Sequence, residues 1–220
     1  MKGIYFKQVP VGPMENFCYL VGAEGSPETA AIDPAWDVPA LLDALAQDGR
    51  RLTHALFTHH HFDHTGGLPE VLAGGARAYL AASDVPYLRV DAPPSELAPV
   101  SGGDRIAVGP LEIEALATPG HTPGSTCYRV TSADESALVT GDTLFIGGCG
   151  RCDLPGGDAD ELWRTLRRLS ALAPSTIIWP GHDYGATPSA TLESERVANP
   201  YLARLESEAA FVQYRMRPRT

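Results

Sequence analysis

Four of the seven histidines and one aspartate fall in a single stretch, Thr58-His59-His60-His61-Phe62-Asp63-His64-Thr65-Gly66-Gly67, directly after the apolar run Ala55-Leu56-Phe57. Imidazole nitrogens and carboxylate oxygens together suit zinc and other borderline first-row metals. Residues two apart in an extended segment point the same way, so His59 and His61 can grip one ion. Asp63 and His64, where the chain turns toward a helix start at Gly66-Gly67, can reach a second. His60 should point opposite to His59 and His61, and His54 lies earlier in the strand. Both read as structural or ligand-supporting residues.

Three further candidates occupy one kind of place, just beyond a short apolar or β-branched run and at a Gly-marked turn. His121 follows residues 111–116 through Thr118-Pro119-Gly120, Asp142 follows 137–140 through Gly141, and His182 follows 176–179 through Pro180-Gly181. Runs of this length bounded by Gly and Pro read as strands, and a rigid sheet edge can hold ligands that emerge at strand ends. Taken singly, His121 or His182 is more often a hydrogen-bonded structural histidine, and a Gly-Asp pair is usually a turn. The cluster at 59–64 shifts that balance. A loop committed to His, His, Asp and His needs more ligands, and few other histidines remain to supply them.

The elements that must position these residues come in two batches. Strands are expected at 4–9, 17–21 and 29–33, then an amphipathic helix at 37–47 and a strand at 52–57. After the metal loop come a helix at 68–73, a short strand at 76–80, a helical turn from Ser83 and a loop over 91–99. A second meander follows at 111–116, 125–131 and 137–140. A helix at 160–172, capped by Asp158, precedes a strand at 176–179. The tail 191–220 reads as helical, interrupted at Asn199-Pro200. Two similar batches predict an α/β chain of two packed sheets with helices outside, which keeps the strand ends along one edge.

The chain has 220 residues and a mass of 23.4 kDa, enough for one substantial core, and reads as one domain with a short helical tail. A net charge of −10 argues against nucleic acid as a partner, because a phosphate-tracking surface needs clustered Lys and Arg. The basic run Arg164 to Arg168 alternates with Leu162, Leu166 and Leu169 as the solvated face of a helix. The start Met1 to Gln8 lacks the apolar core of a signal peptide, and no stretch approaches the ~20 apolar residues of a membrane span, so a cytoplasmic protein with no membrane partner is expected. Four cysteines fit a reducing compartment better than a disulfide framework. Cys149-x-x-Cys152 has no second pair beside it and reads as a loop near the metal centre rather than a redox motif.

His59-x-His61-x-Asp63-His64, Pro119-Gly120-His121-Thr122-Pro123-Gly124, Thr140-Gly141-Asp142-Thr143 and Pro180-Gly181-His182 match, in order, the ligand motifs of the metallo-β-lactamase superfamily, which the chain resembles from about residue 4 to 200. The resemblance implies an αββα sandwich of two mixed sheets flanked by helices, with the metal site at one edge. It also implies two divalent ions, zinc first with iron or manganese as alternatives. One would be held by His59, His61 and His121, the other by Asp63, His64 and His182, with Asp142 bridging. Within the superfamily, Gly141-Asp142-Thr143-Leu144-Phe145 and Gly148-Cys149-Gly150-Arg151 resemble glyoxalase II, the hydroxyacylglutathione hydrolases. True β-lactamases carry cysteine or serine where this chain has Asp142. Full-length glyoxalase II has a longer helical C-terminal region with basic residues that grip glutathione, whereas only 183–220 follow the last ligand here. Arg151-Cys152-Asp153-Leu154 and His182-Asp183-Tyr184 are also similar to persulfide dioxygenases, mononuclear iron enzymes that use the positions of His59, His121 and Asp142.

The chemistry this implies is hydrolysis of a small thioester, of the glutathione-conjugate type, by a hydroxide that exists at neutral pH because two ions lower the pKa of a bridging water toward ~7. Asp63 then orients the nucleophile as well as binding metal. Arg151 is a candidate for a substrate carboxylate or, equally, for a loop ion pair with Asp153 or Asp158. Tyr184 either donates to the oxyanion or packs. The alternatives are a mononuclear iron dioxygenase acting on glutathione persulfide, and a metal scaffold without catalysis. The scaffold fits poorly, because structural zinc sites are closed and four-coordinate.

Overall fold

The computed structural model describes residues 3–133 and 135–217. Its first sheet runs in the order β1 (Ile4–Val11), β2 (Asn16–Ala23), β3 (Glu28–Ile32), β4 (Arg51–Leu56), β5 (Arg77–Ala81) and β6 (Leu97–Val100). β1 to β3 form an antiparallel meander; β3 to β6 are parallel neighbours. Three helices belong to this half: α1 (Val38–Gln47), the single turn α2 (Phe62–Thr65) and α3 (Leu68–Ala73). The second sheet is built from β7 (Arg105–Val108), β8 (Leu111–Ala117), β9 (Thr126–Thr131) and β10 (Ser136–Gly141). A two-stranded ribbon of β11 (Leu144–Phe145) and β12 (Gly148–Cys149) and the helix α4 (Ala159–Leu169) follow. β13 (Ile177–Pro180) and β14 (Ala190–Thr191) complete the sheet, whose order is β14-β13-β10-β9-β8-β7. Helices α5 (Leu192–Ala198) and α6 (Glu208–Arg215) close the described chain.

The layers follow from where the apolar residues point. Alternate residues of both sheets, among them Tyr19, Val21, Ile32 and Leu56 from one and Ile113, Tyr128, Val130 and Val139 from the other, meet in one central core. The opposite face of the first sheet buries Leu41 and Leu45 of α1 and Leu68 and Val71 of α3. That of the second buries Leu162, Leu166 and Leu169 of α4 together with Leu192 and Phe211. Both sheets are mixed, so the αββα sandwich expected from the resemblance is the fold observed. Asp158 caps α4 by accepting from the amides of Asp160 and Glu161, while Arg167 and Arg168 lie in its last turn, where cations complement the helix dipole. No helix among the described residues is long and apolar enough to cross a membrane.

Strand direction places the functional loops. β10 pairs in parallel with β13 and antiparallel with β9, which is itself antiparallel to β8, so β8, β10 and β13 all end at the same edge. β3 and β4 end there too, and backbone bonds tie the two sheets together at that edge: Phe17 N–H donates to Gly181 O at 2.9 Å and Thr126 N–H to Thr58 O at 2.8 Å.

The structure departs from the sequence reading mainly at sheet margins. Residues 97–99, within the loop expected over 91–99, belong with Val100 to edge strand β6; Pro99 is tolerated where one side of the strand is unpaired. β7, unread, is the other edge and pairs with β8. The expected helical turn after Ser83 is a 3₁₀ turn at Val85–Tyr87.

Candidate metal centre

The loop that follows β4 leaves the sheet at Phe57, bends at 58–60 and is extended at His61 (φ −60°, ψ 144°) before the single turn α2, and this brings the two rings together. His59 and His61 therefore face the same side, with His59 Nε2 3.0 Å from His61 Nδ1. His121, delivered by the loop after β8, brings its Nε2 to 3.0 Å from His61 Nδ1. On the other side His64 Nε2 is 3.2 Å from His182 Nε2, and Asp63 Oδ2 lies 3.6 Å and 3.4 Å from those two nitrogens. Asp142, at the end of β10, stands between the groups. Its Oδ2 is 3.5 Å from His121 Nε2, while its Oδ1 is 3.2 Å from His64 Nε2 and 3.4 Å from His182 Nε2. All seven side chains picked out in the sequence converge here.

The hydrogen bonds around the cluster show which atoms face inward. His121 Nδ1 donates to the carbonyl of Arg151 at 2.7 Å and His182 Nδ1 to that of Met14 at 2.9 Å, since a carbonyl can only accept. Thr58 Oγ1 donates to Asp33 at 2.6 Å and so accepts from His59 Nδ1 at 3.0 Å, and Asp33 Oδ2 lies 2.8 Å from His64 Nδ1. With the outer Nδ1 of His59, His121 and His182 engaged as donors, each of those rings when neutral has its lone pair on Nε2, aimed at the same small volume into which His61 turns Nδ1. Unprotonated nitrogens 3.0 Å apart, as in the His59–His61 and His61–His121 pairs, repel unless a proton or a cation lies between them. That spacing is close to the ~3.3 Å separating nitrogens that sit ~2.0 Å from a tetrahedral ion. Asp142 Oδ1 is buried without satisfying hydrogen-bond geometry to any partner, and a bound cation would supply the missing interaction. The donor set fits divalent metal.

The two groups differ in protonation. Burial, reinforced by His64 and His121, holds His59 well below the ordinary imidazole value, and burial with His121 beside it pushes His61 down to about 4. His121 is lowered as well, chiefly by burial. Burial would also lower His64, but the Asp142 and Asp33 carboxylates outweigh it and raise His64 well above the ordinary value. His182 is raised against its burial by Asp63 and Asp142. Burial would raise Asp63, yet its bond with His182 and the charge of His64 bring it down to about 2. Asp142 is likewise held below the carboxylate range, against its burial, by His64 first and then His121 and His182.

Several supporting residues were not picked out in the sequence. Buried Asp33, in a left-handed conformation (φ 54°), accepts from the amide and hydroxyl of Thr58 and orients His64. It too lies just beyond its strand, but without the Gly-marked turn that precedes Asp142 and His182, and the sequence reading places it as the last residue of the strand 29–33. Asn16 Nδ2 donates to Asp63 Oδ2 at 3.1 Å and to the Asp63 carbonyl at 3.0 Å. Asp84, fully buried, accepts from His60 N–H, Thr122 Oγ1 and Gly124 N–H, which joins the His59 loop to the His121 loop. His60 is not among the converging ligand atoms: its ring stacks on Tyr87 and meets His61 edge-on at 4.7 Å, while His54 sits back in β4 against Thr53 and Tyr79. Gly181 is required by close approach: a Cβ there would lie 2.7 Å from Asp142 Oδ1 and 2.9 Å from His64 Cε1.

Arg151 is exposed and holds Asp153 through two bonds of 2.7 Å, so of its two readings the loop ion pair is the one seen. Tyr184 stacks on His182 with centroids 4.5 Å apart and remains 55% exposed at the mouth. Cys149 and Cys152 are buried and unbridged, and burial raises the Cys152 thiol to about 12.

Comparison with known proteins places this geometry. The chain is 42% identical over 171 residues to the hydroxyacylglutathione hydrolase of Rhodospirillum rubrum, an alignment covering 77% of this chain and 63% of that one. This chain thus spans less than two thirds of that relative's length. It is 30% identical to the probable polyketide biosynthesis zinc-dependent hydrolase BaeB of Bacillus velezensis, over 92% of this chain and 88% of the other. The crystal structure of ETHE1 from Myxococcus xanthus superposes with a TM-score of 0.82 at 31% identity, covering 98% of this chain and 92% of that one. The model of the metallo-beta-lactamase superfamily matches residues 11–182, from the end of β1 through the last histidine of the cluster, and the chain belongs to that superfamily.

Proposed function

We propose that the chain is a dinuclear metallohydrolase that cleaves a thioester of the hydroxyacylglutathione type. The observation that carries this reading is Asp142, whose two oxygens face different triads: Oδ2 toward His121, Oδ1 toward His64 and His182. A carboxylate can span two ions ~3.5 to 4 Å apart, which a single imidazole nitrogen cannot. His59, His61 and His121 would hold one ion and Asp63, His64 and His182 the other. Zinc is the assignment favoured by the named zinc-dependent hydrolase relative. When bound, such a pair polarises a carbonyl and makes water acidic enough to attack at neutral pH.

The residues of the chain do the rest. Asp63, ionised and held by Asn16, orients the attacking water as well as binding metal, and the proton of that water passes to solvent. The water oxygen forms a bond to the acyl carbon, the C–S bond breaks, and sulfur leaves with the electron pair as a thiolate, which needs little acid assistance. Arg151, in an exposed ion pair of little strength, can exchange Asp153 for a substrate carboxylate. Tyr184 walls the mouth beside His182.

A second reading, an iron persulfide dioxygenase, is favoured by the likeness to ETHE1 over nearly the whole of both chains and by the Arg151-Cys152-Asp153-Leu154 run. One experiment separates them: metal analysis by mass spectrometry, with thiol release from lactoylglutathione compared against oxygen uptake with glutathione persulfide. Two metals per chain, thiol release and no oxygen uptake are expected. One iron per chain with oxygen uptake would overturn the hydrolase.

A further inference from the structure

Beside the metal centre lies a cavity of about 360 Å³ lined by His61, Phe62, Tyr87, Leu154 and Pro155, with Arg89 among its walls. His61 belongs to both the cluster and this cavity, so the cavity adjoins the first triad. Three separate segments build its walls: α2 supplies Phe62, the 3₁₀ turn and its continuation supply Tyr87 and Arg89, and the loop after β12 supplies Leu154 and Pro155. His60 also lines the cavity and anchors one wall. Tyr87 stacks on His60 with centroids 5.1 Å apart, and the His60 amide donates to the buried carboxylate of Asp84. Phe62, braced edge-on by Trp36 at 6.0 Å, nevertheless stays 52% exposed. A large aromatic ring left in water beside a chiefly apolar cavity marks a place for an apolar ligand group.

We propose that this pocket receives the acyl arm of the thioester, and that the arm is an apolar group larger than lactoyl. The proposal rests on the hydrolase reading and adds the class of acyl group. A three-carbon hydroxyacyl group would leave most of such a cavity to water, whereas a chain of about six carbons would cover Phe62, Tyr87 and Leu154. Each methylene moved from water into the pocket favours binding.

The test uses the zinc-loaded full chain. Binding of the inert thioethers S-hexylglutathione and S-methylglutathione is measured by calorimetry, and kcat/KM is measured for hexanoylglutathione and lactoylglutathione. The hexyl compound should bind about tenfold tighter than the methyl compound, and the hexanoyl ester should react about tenfold better than the lactoyl ester. Leu154→Asp, which places a charge in the pocket, and Leu154→Trp, which fills it, should each abolish both preferences, with thermal melts checking that both variants fold. Equal binding of the two thioethers, or a preference that survives in both folded variants, would overturn the pocket. Discrimination between the thioethers without cleavage of either thioester would sink the hydrolase reading and leave the apolar pocket standing.

Discussion

His59, His61 and His121 form a triad of imidazoles that burial keeps unprotonated, whereas Asp63, His64 and His182 combine a carboxylate with two imidazoles whose affinity for protons is raised. The first triad presents lone pairs at neutral pH with no proton to displace. The second holds its charge balance through Asp33, Asp63 and Asp142, and a cation entering it must displace protons from His64 and His182. Two neighbouring groups made from nearly the same residue types thus differ in proton affinity because of what surrounds them, and a difference in metal affinity is the expected consequence. Asp142 faces both, and His59 and His64 also meet across the divide with ring centroids 4.1 Å apart.

The largest expected effect therefore comes from Asp142→Ala, which removes an oxygen from each half. We expect loss of both ions by mass spectrometry and a fall in kcat/KM of about a thousandfold. A variant that keeps two tightly held ions would refute the bridging role. Asp33→Asn should act on one half alone, because Asp33 touches His64 and reaches the first triad only through Thr58. Metal affinity of the second half should drop roughly 10- to 100-fold while one ion stays bound, as titration with a chelator would reveal. Equal weakening of both halves would erase the distinction between them.

Acidification should separate the halves without mutation. His64 and His182 have raised pKa values, so protons compete for the second triad already near neutrality, and its affinity climbs as pH rises through those values. His61, lowered to about 4, keeps the first triad competent until the pH approaches that value. Dialysis at pH 8, 6 and 4 followed by metal analysis should give two ions, then one, then none. Simultaneous loss of both would contradict the electrostatic contrast. The smallest effect is expected outside the cluster. Cys149 and Cys152 are buried and the Cys152 thiol is raised to about 12, so native protein should resist iodoacetamide and keep full activity, labelling only after denaturation.

Much of the candidate site was readable before any coordinates, and the particular residues show why. His59 and His61 are two apart in one short loop, so their closeness is local, although the chain bends at 58–60 where an extended run was expected. His121, Asp142 and His182 each follow a strand, and three strands that run the same way in one sheet must end at one edge. Asp33 also lies just beyond a strand, but without a Gly-marked turn, and was missed because its function is to hold Thr58 and His64, contacts that span 25 and 31 residues. Edge strands β6 and β7 were missed for a related reason: their pairing depends on a neighbour distant in sequence or on a face too short to show periodicity.

Donor chemistry, the order of the ligand motifs and the alternation of strands and helices are properties of residue type and local spacing, and these the amino-acid sequence determined by itself. Which ring nitrogen faces inward, which half is protonated and which apolar walls adjoin His61 were decided only by the tertiary structure. These depend on desolvation and on charges brought within hydrogen-bonding distance from remote parts of the chain, and neither exists until the two sheets have packed.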